Sequence, residues 1–172
     1  KEKTPPSLPV GIISGLRWHQ SGKDLGFNFS SARTPADIYS LDVRTGKVER
    51  WTESETGGLN TNQFAQAELV KWTSFDGRSI SGFLYRPPAK FSGPRPVVIN
   101  IHGGPEGQSR PGFLGRSNFY LNELGVAMLY PNVRGSTGFG QKFVDDISQD
   151  WGGKVMTDLN AVFDAVAGVQ PQ

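Results

Sequence analysis

The residues with the most evident chemistry are His102-Gly103-Gly104-Pro105, set directly after the apolar run Pro96-Val97-Val98-Ile99-Asn100-Ile101. Glycines here let the backbone turn sharply and approach a bound group with no side chain in the way. The chemistry on offer is electrostatic: a backbone N–H aimed at an oxygen that becomes negative in a tetrahedral intermediate. One such donor contributes about 2.7–4 kcal/mol of transition-state stabilisation. The N–H of Gly104 is the candidate donor. The tetrapeptide by itself is equally compatible with a tight glycine turn closing a strand.

A second segment, Pro131-Asn132-Val133-Arg134-Gly135-Ser136-Thr137-Gly138-Phe139-Gly140, follows the apolar run Val126-Ala127-Met128-Leu129-Tyr130, and Asp150-Trp151-Gly152-Gly153 comes after it. Ser136 invites a nucleophile reading because glycines stand on both sides of it. It starts a loop rather than a strained strand-to-helix elbow, and no base is in sight, so that reading is rejected. The elbow pentapeptide G-x-S-x-G does not occur. Gly115-Arg116-Ser117-Asn118-Phe119 comes nearest, but it lacks the last glycine and has no buried strand before it.

The chain has two histidines and no cysteine. His19 reads as an ordinary surface or packing residue, and His102 belongs to the glycine loop. A Ser/Asp/His triad is therefore not expected in this chain. Disulfides, thiolate metal ligands and a thiol nucleophile are excluded, and two distant histidines make no metal site. Gly135-Ser136-Thr137-Gly138-Phe139-Gly140 has neither the order of a dinucleotide fingerprint nor the lysine of a P-loop, so no cofactor is expected.

The elements that must position these loops fall into two grammars. Residues 11–52 contain four short apolar-alternating stretches. Leu16-Arg17-Trp18-His19 and Leu25-Gly26-Phe27-Asn28-Phe29 flank the turn Gln20-Ser21-Gly22-Lys23. Ser31-Ala32-Arg33-Thr34-Pro35 interrupts the pattern. Ile38-Tyr39-Ser40-Leu41 and Val48-Glu49-Arg50-Trp51 flank Arg44-Thr45-Gly46-Lys47. Period-two alternation with glycine-bearing turns predicts a four-stranded meander of about one propeller blade. A lone blade cannot cover both of its faces, which suggests a chain that has been cut.

Residues 53–68 are polar and read as a linker. A hairpin is predicted from Leu69-Val70-Lys71-Trp72 and Ile80-Ser81-Gly82-Phe83-Leu84-Tyr85 around Asp76-Gly77, because glycine accepts the positive φ of such turns. The runs at 96–101 and 126–130 predict strands covered on both faces. Asn118 to Leu124 predicts a short helix stopped by Gly125. Val155, Leu159, Val162, Phe163 and Val166 fall at helical spacing and predict the buried face of another helix. Strand, helix, strand, helix implies a mainly parallel sheet flanked by helices.

Four ordered motifs carry a resemblance: His102-Gly103-Gly104-Pro105, Asn132-Val133-Arg134-Gly135-Ser136-Thr137-Gly138-Phe139-Gly140, Asp150-Trp151-Gly152-Gly153, and Asp158-Leu159 within a helix. The chain resembles the prolyl oligopeptidase family of serine peptidases, on its acylaminoacyl-peptidase and bacterial dipeptidyl-peptidase side, over roughly residues 10 to 168. Val133 stands where relatives often carry tyrosine.

The resemblance implies a terminal β-propeller blade at residues 1–52, a linker at 53–68, and the N-terminal part of an α/β-hydrolase domain at 69–172. It implies that Gly104 gives an oxyanion-hole N–H and that His102 supports the loop without serving as general base. Arg134, Ser136 and Asp150 would line the floor between propeller and catalytic domain, Arg134 either in a buried pair with a carboxylate, the preferred reading, or touching substrate. The triad would lie beyond Gln172, so the parent would cleave short peptides through an acyl-enzyme and the chain alone would be inactive. An esterase or lipase of the same fold and a non-catalytic binding module are the alternatives.

A composition of 36% hydrophobic and 20% charged residues is that of a globular protein rather than a disordered one. The net charge of +2 comes with scattered lysines and arginines, which speaks against a nucleic-acid stripe or a membrane patch. No apolar run approaches the ~20 residues of a membrane span. Lys1-Glu2-Lys3-Thr4-Pro5-Pro6 is not a signal peptide. A fragment would have left its own N-terminus elsewhere, so cytoplasm and periplasm both stay compatible.

Overall fold

The computed structural model describes residues 7–104, 106–147 and 152–168. The chain divides into two compact units, one of Lys1–Gln66 with Pro111–Asn118 and one of Ala67–Arg110 with Phe119–Gln172.

The first unit is built on an antiparallel sheet of β1 (Gly11–Trp18), β2 (Asp24–Ser31), β3 (Thr34–Asp42) and β4 (Val48–Arg50), paired in chain order. The four predicted strands are present, but β2 and β3 extend into the segment expected to interrupt them. Ser31 pairs with Thr34 and the register slips between Phe29 and Ser31. That irregularity accommodates Pro35 inside β3, since proline has no N–H for a regular ladder. Phe27 faces Tyr39 across the β2–β3 pair, with the rings stacked at 5.8 Å, and Phe29 meets Tyr39 edge-on at 5.7 Å.

The β3–β4 turn shows why Asp42 and Gly46 stand where they do. The Asp42 carboxylate accepts the N–H groups of Arg44 and Thr45 at 2.8 and 3.0 Å, and Gly46 takes φ +77°.

Asp37 on β3 is fully buried. It receives Arg50 Nη2 at 2.5 Å and the hydroxyls of Thr52 and Ser54 at 2.8 and 3.0 Å. Residues 50, 52 and 54 alternate along an extended chain, so all three side chains leave it on one side. Burial opposes ionisation of Asp37, but the Arg50, Thr52 and Ser54 hydrogen bonds outweigh it and hold the carboxyl below its ordinary range.

The second unit is a mixed sheet in the order β5-β6-β8-β7, from β5 (Glu68–Thr73), β6 (Ser79–Tyr85), β7 (Val97–Ile99) and β8 (Ala127–Asn132). The β5–β6 hairpin turns at Asp76-Gly77, with Gly77 at φ +81°. Only β7–β8 is parallel; β5–β6 and β6–β8 are antiparallel. The expectation of a mainly parallel sheet is thus corrected. The hairpin contributes two antiparallel pairings, and among the described residues only one strand–helix–strand crossover adds a parallel one.

The helices are α1 (Asn118–Asn122), α2 (Gln141–Asp145) and α3 (Lys154–Gly168). Gly125, at φ +63°, follows α1 as predicted. The short α2 had no apolar periodicity to announce it.

Two further expectations need correction. The run at 96–101 yields only three strand residues at the sheet edge, with Val98 42% and Ile101 46% exposed. Among the described residues no strand pairs with β7 on its other side. It is β8, between β6 and β7, that is buried. On α3, Val162 is buried but Phe163 is 59% exposed, and Asp158 takes an inward position instead. Leu84, Ala127, Leu129 and Val162 form the core, with Val70, Trp72, Val97, Ile99 and Val166 packed against them.

Candidate functional site

The site is two loops, each leaving the C-terminal end of a strand in the parallel pair. Residues 102–109 follow β7 and residues 133–140 follow β8. Three contacts stitch the first loop to the second and to the end of β8. His102 Nε2 lies 2.8 Å from Ser136 Oγ. The Thr137 N–H donates to Gly107 O at 2.9 Å. Asn132 and Ser109 exchange two bonds, Ser109 N–H to Asn132 Oδ1 at 2.7 Å and Asn132 Nδ2 to Ser109 O at 3.1 Å.

Within the first loop Gly104 has φ +133°. A Cβ there would sit 2.6 Å from the Glu106 nitrogen and 2.9 Å from that of Gly107, both backbone atoms that cannot swing aside. Gly107 is equally confined, since its Cβ would meet Gly103 O at 2.7 Å and His102 Nδ1 at 2.8 Å. Both positions need a residue without a side chain. His102 Nδ1 lies 3.1 Å from Gly103 O.

Ser136 requires a correction. A histidine does stand beside it, although no base was expected within reach. The pair still lacks the marks of a nucleophile and its base. Ser136 is fully buried, its hydroxyl donates to Val133 O at 2.7 Å, and a backbone carbonyl rather than a carboxylate lies against His102 Nδ1. The rejection of Ser136 as nucleophile stands on those grounds. Gly115-Arg116-Ser117, the nearest match to an elbow, forms a 3₁₀ turn. His19 is exposed, with Nδ1 2.9 Å from Ser21 Oγ. Pro105, Asp150 and Trp151 lie outside the described residues.

Arg134 makes the buried ion pair expected of it and more. It is 2% exposed, and its Nη2 reaches Asp158 Oδ1 at 2.9 Å while Nε reaches Oδ2 at 3.0 Å. Nη1 and Nη2 also form a fork on Asp76, at 2.7 and 2.8 Å. Asp158 further accepts the Arg134 N–H at 3.0 Å and the Ser74 hydroxyl at 2.5 Å. The Phe75 ring covers the guanidinium at 4.9 Å.

The Arg134 hydrogen bonds hold the Asp76 carboxyl far below the ordinary carboxylate range. The Arg134 guanidinium is raised, first by Asp76 and then by Asp158, against the opposing effect of burial. Arg78 pairs with Asp146 beside this cluster and lies over the Phe143 ring at 5.7 Å. The sequence marks Asp76 only as a turn residue and does not single out Ser74. The Asp76-Gly77 pattern carries the turn signal alone, and nothing in it announces an ion pair with a residue far along the chain.

A separate cavity of about 330 Å³ is lined by Val70, Trp72, Leu84, Val97, Leu129 and Val166 among others. Among the described residues of the two loops none borders it, and its lining comes from β5, β6, β7, β8 and α3 together with the 86–95 segment.

The antiparallel four-stranded sheet and the mixed sheet with its helices and glycine loops define a mixed α/β protein. Residues 113–169 match the prolyl oligopeptidase family, and the chain belongs to that family of serine peptidases. It is 32% identical over 140 residues to the uncharacterized peptidase YuxL of Bacillus subtilis, covering 77% of this chain and 20% of that protein. It is 30% identical over 138 residues to dipeptidyl aminopeptidase BIII of Pseudoxanthomonas mexicana, covering 76% and 20%. A solved prolyl endopeptidase superposes with a TM-score of 0.77 at 26% identity, covering 93% of this chain and 24% of that one. The chain thus spans about a fifth of the length of these curated relatives.

Proposed function

We propose that this chain is part of a serine peptidase that hydrolyses short peptides through an acyl-enzyme. In this reading residues 1–52 are the last blade of a β-propeller, 53–68 a linker, and 69–172 the N-terminal part of an α/β-hydrolase domain. The Gly104 N–H serves as an oxyanion-hole donor, and His102 supports the loop that carries it. The nucleophile, acid and base come from polypeptide beyond these residues, so the 172 residues alone are inactive.

The observation that carries the reading is the tethered loop itself. His102 to Gly107 leaves the end of a parallel strand, passes through a backbone conformation open only to glycine at Gly104, and is tied down by Ser136 and Thr137. A rigid donor is what electrostatic stabilisation needs, because it costs no reorganisation when charge develops. Membership of a serine-peptidase family supplies the chemistry that such a donor would serve.

The test compares the full-length polypeptide with the 172-residue chain on aminoacyl and dipeptidyl p-nitroanilides and on p-nitrophenyl esters. The long form should cleave the amides and react with a fluorophosphonate probe, and the short form should do neither. Strict ester preference would point to an esterase of the same fold. Probe labelling of the short form would show that it holds its own nucleophile.

A further inference from the structure

We infer that Ser136 is a positioning residue for the 102–104 loop, fixing Gly104 by way of the His102 ring. The inference rests on the reading of Gly104 as an oxyanion donor and deepens it.

A serine hydroxyl has one hydrogen to give and two lone pairs to accept with. Here the hydrogen goes to Val133 O at 2.7 Å, an atom that can only accept, so with His102 as its Nε2–H tautomer the ring N–H donates across the 2.8 Å contact. The result is a directed relay from Nε2–H to the serine hydroxyl to a backbone carbonyl, in which each bond polarises the next. Ser136 is fully buried, so its hydroxyl is shielded from water.

Ser136 is also well held. Its N–H donates to Val133 O at 3.1 Å, and the neighbouring Arg134 is clamped by Asp158 and Asp76. The other two stitches, at Gly107 and Ser109, lie beyond Gly104. Among the described residues, only the Ser136 contact ties residues 102–104 to the second loop. Without it, the segment between β7 and Gly107 keeps its glycine freedom at Gly103 and Gly104 and loses its anchor.

The experiment measures backbone hydrogen exchange across residues 101–107 of the full-length protein, together with kcat and KM on an aminoacyl p-nitroanilide. Ser136→Ala, His102→Ala and the double variant are compared with the unaltered protein. Ser136→Ala should speed exchange at 101–107 about fivefold to tenfold, the worth of one hydrogen bond, with exchange in β8 unchanged. It should lower kcat by a similar factor and leave KM within about twofold, since a loss confined to the transition state appears in kcat. Because Ser136 acts through His102, the double variant should exchange no faster than His102→Ala alone.

Unchanged exchange at 101–107 in Ser136→Ala, or effects that simply add in the double variant, would overturn the inference. Should Ser136→Ala fail to fold, His102→Ala must reproduce the faster exchange with Ser136 in place, and normal exchange there overturns it equally. Faster exchange with kcat unmoved would uphold Ser136 as the anchor and overturn the assignment of Gly104 as the donor.

Discussion

Asp158 and Arg134, on α3 and on the loop after β8, share three side-chain hydrogen bonds with both residues almost fully out of solvent. The carboxylate accepts the Arg134 backbone N–H as well, so the loop's main chain and its guanidinium are fastened at one point. Such a pair is best understood by what happens when half of it is removed. Replacing both partners by apolar groups can be neutral, whereas one charge left alone in a buried site is costly.

Asp158→Ala should therefore lower unfolding stability by up to about 3–5 kcal/mol, the usual cost of breaking a buried pair, with the outer Asp76 fork left on the guanidinium. Asp76→Ala should cost much less, because Asp76 is 39% exposed and water can replace it. Urea unfolding of the two variants, followed by tryptophan fluorescence, checks the ranking. Equal losses would mean that the outer carboxylate holds the guanidinium as strongly as the helix-borne one.

The same cluster predicts an acid limb. Asp76 titrates below its ordinary value because Arg134 hydrogen-bonds its charged form. A depressed folded pKa gives stability that is fully present above the unfolded value, about 3.9, and is lost as pH falls toward the folded pKa. Thermal midpoints should thus hold steady from neutrality to about pH 4 and decline below it. In Asp76→Asn part of that decline should vanish. Added salt should shrink the difference between the two proteins, because the pair is partly exposed. A decline of the same depth in Asp76→Asn would assign the acid limb to other carboxylates.

Gly104→Ala tests the loop. The added methyl would meet two backbone nitrogens inside 3 Å while φ stays in the left-handed region. The loop must move, and a displaced donor is a lost donor. The peptidase carrying this change should lose about 10²–10³ in kcat, with a stability loss limited to the local strain of about 1–3 kcal/mol because the loop lies outside the hydrophobic core. Circular dichroism melting alongside initial-rate kinetics separates the two effects. Full activity in Gly104→Ala would remove Gly104 from the oxyanion hole.

Much of this molecule was legible in its sequence where the signal is local. Turns announced themselves through Asp42, Gly46, Asp76 and Gly77, whose side chains or missing side chains answer a nearby backbone demand. The meander and α3 followed from apolar periodicity. What escaped was set by partners far apart in the chain. Phe163 fits the apolar stripe of α3 yet faces out, and Asp158 faces in because Arg134 and Ser74 wait there for it. Likewise β7 read as a buried strand because apolar composition reports a preference for burial, not whether a neighbour exists to supply it. Ser136 and His102 were each noticed, but nothing in either motif shows that their loops run side by side.

Asp37 offers the matching test in the first unit. It is fully buried, and Arg50, Thr52 and Ser54 all point their polar atoms at it. Removing the carboxylate takes the shared acceptor from three donors at once, although Arg50 and Thr52 still reach water. Asp37→Ala should therefore cost more than Thr52→Val, in which about 1–3 kcal/mol is at stake. The Arg50 bond reaches Asp37 across the β3–β4 pair, so the loss should show first at that edge. Amide exchange at Tyr39 and Leu41, which face Arg50 and Val48 across the pair, should accelerate before exchange in β2 does. Uniform acceleration across all four strands would instead mean that Asp37 supports the whole sheet as one cooperative unit.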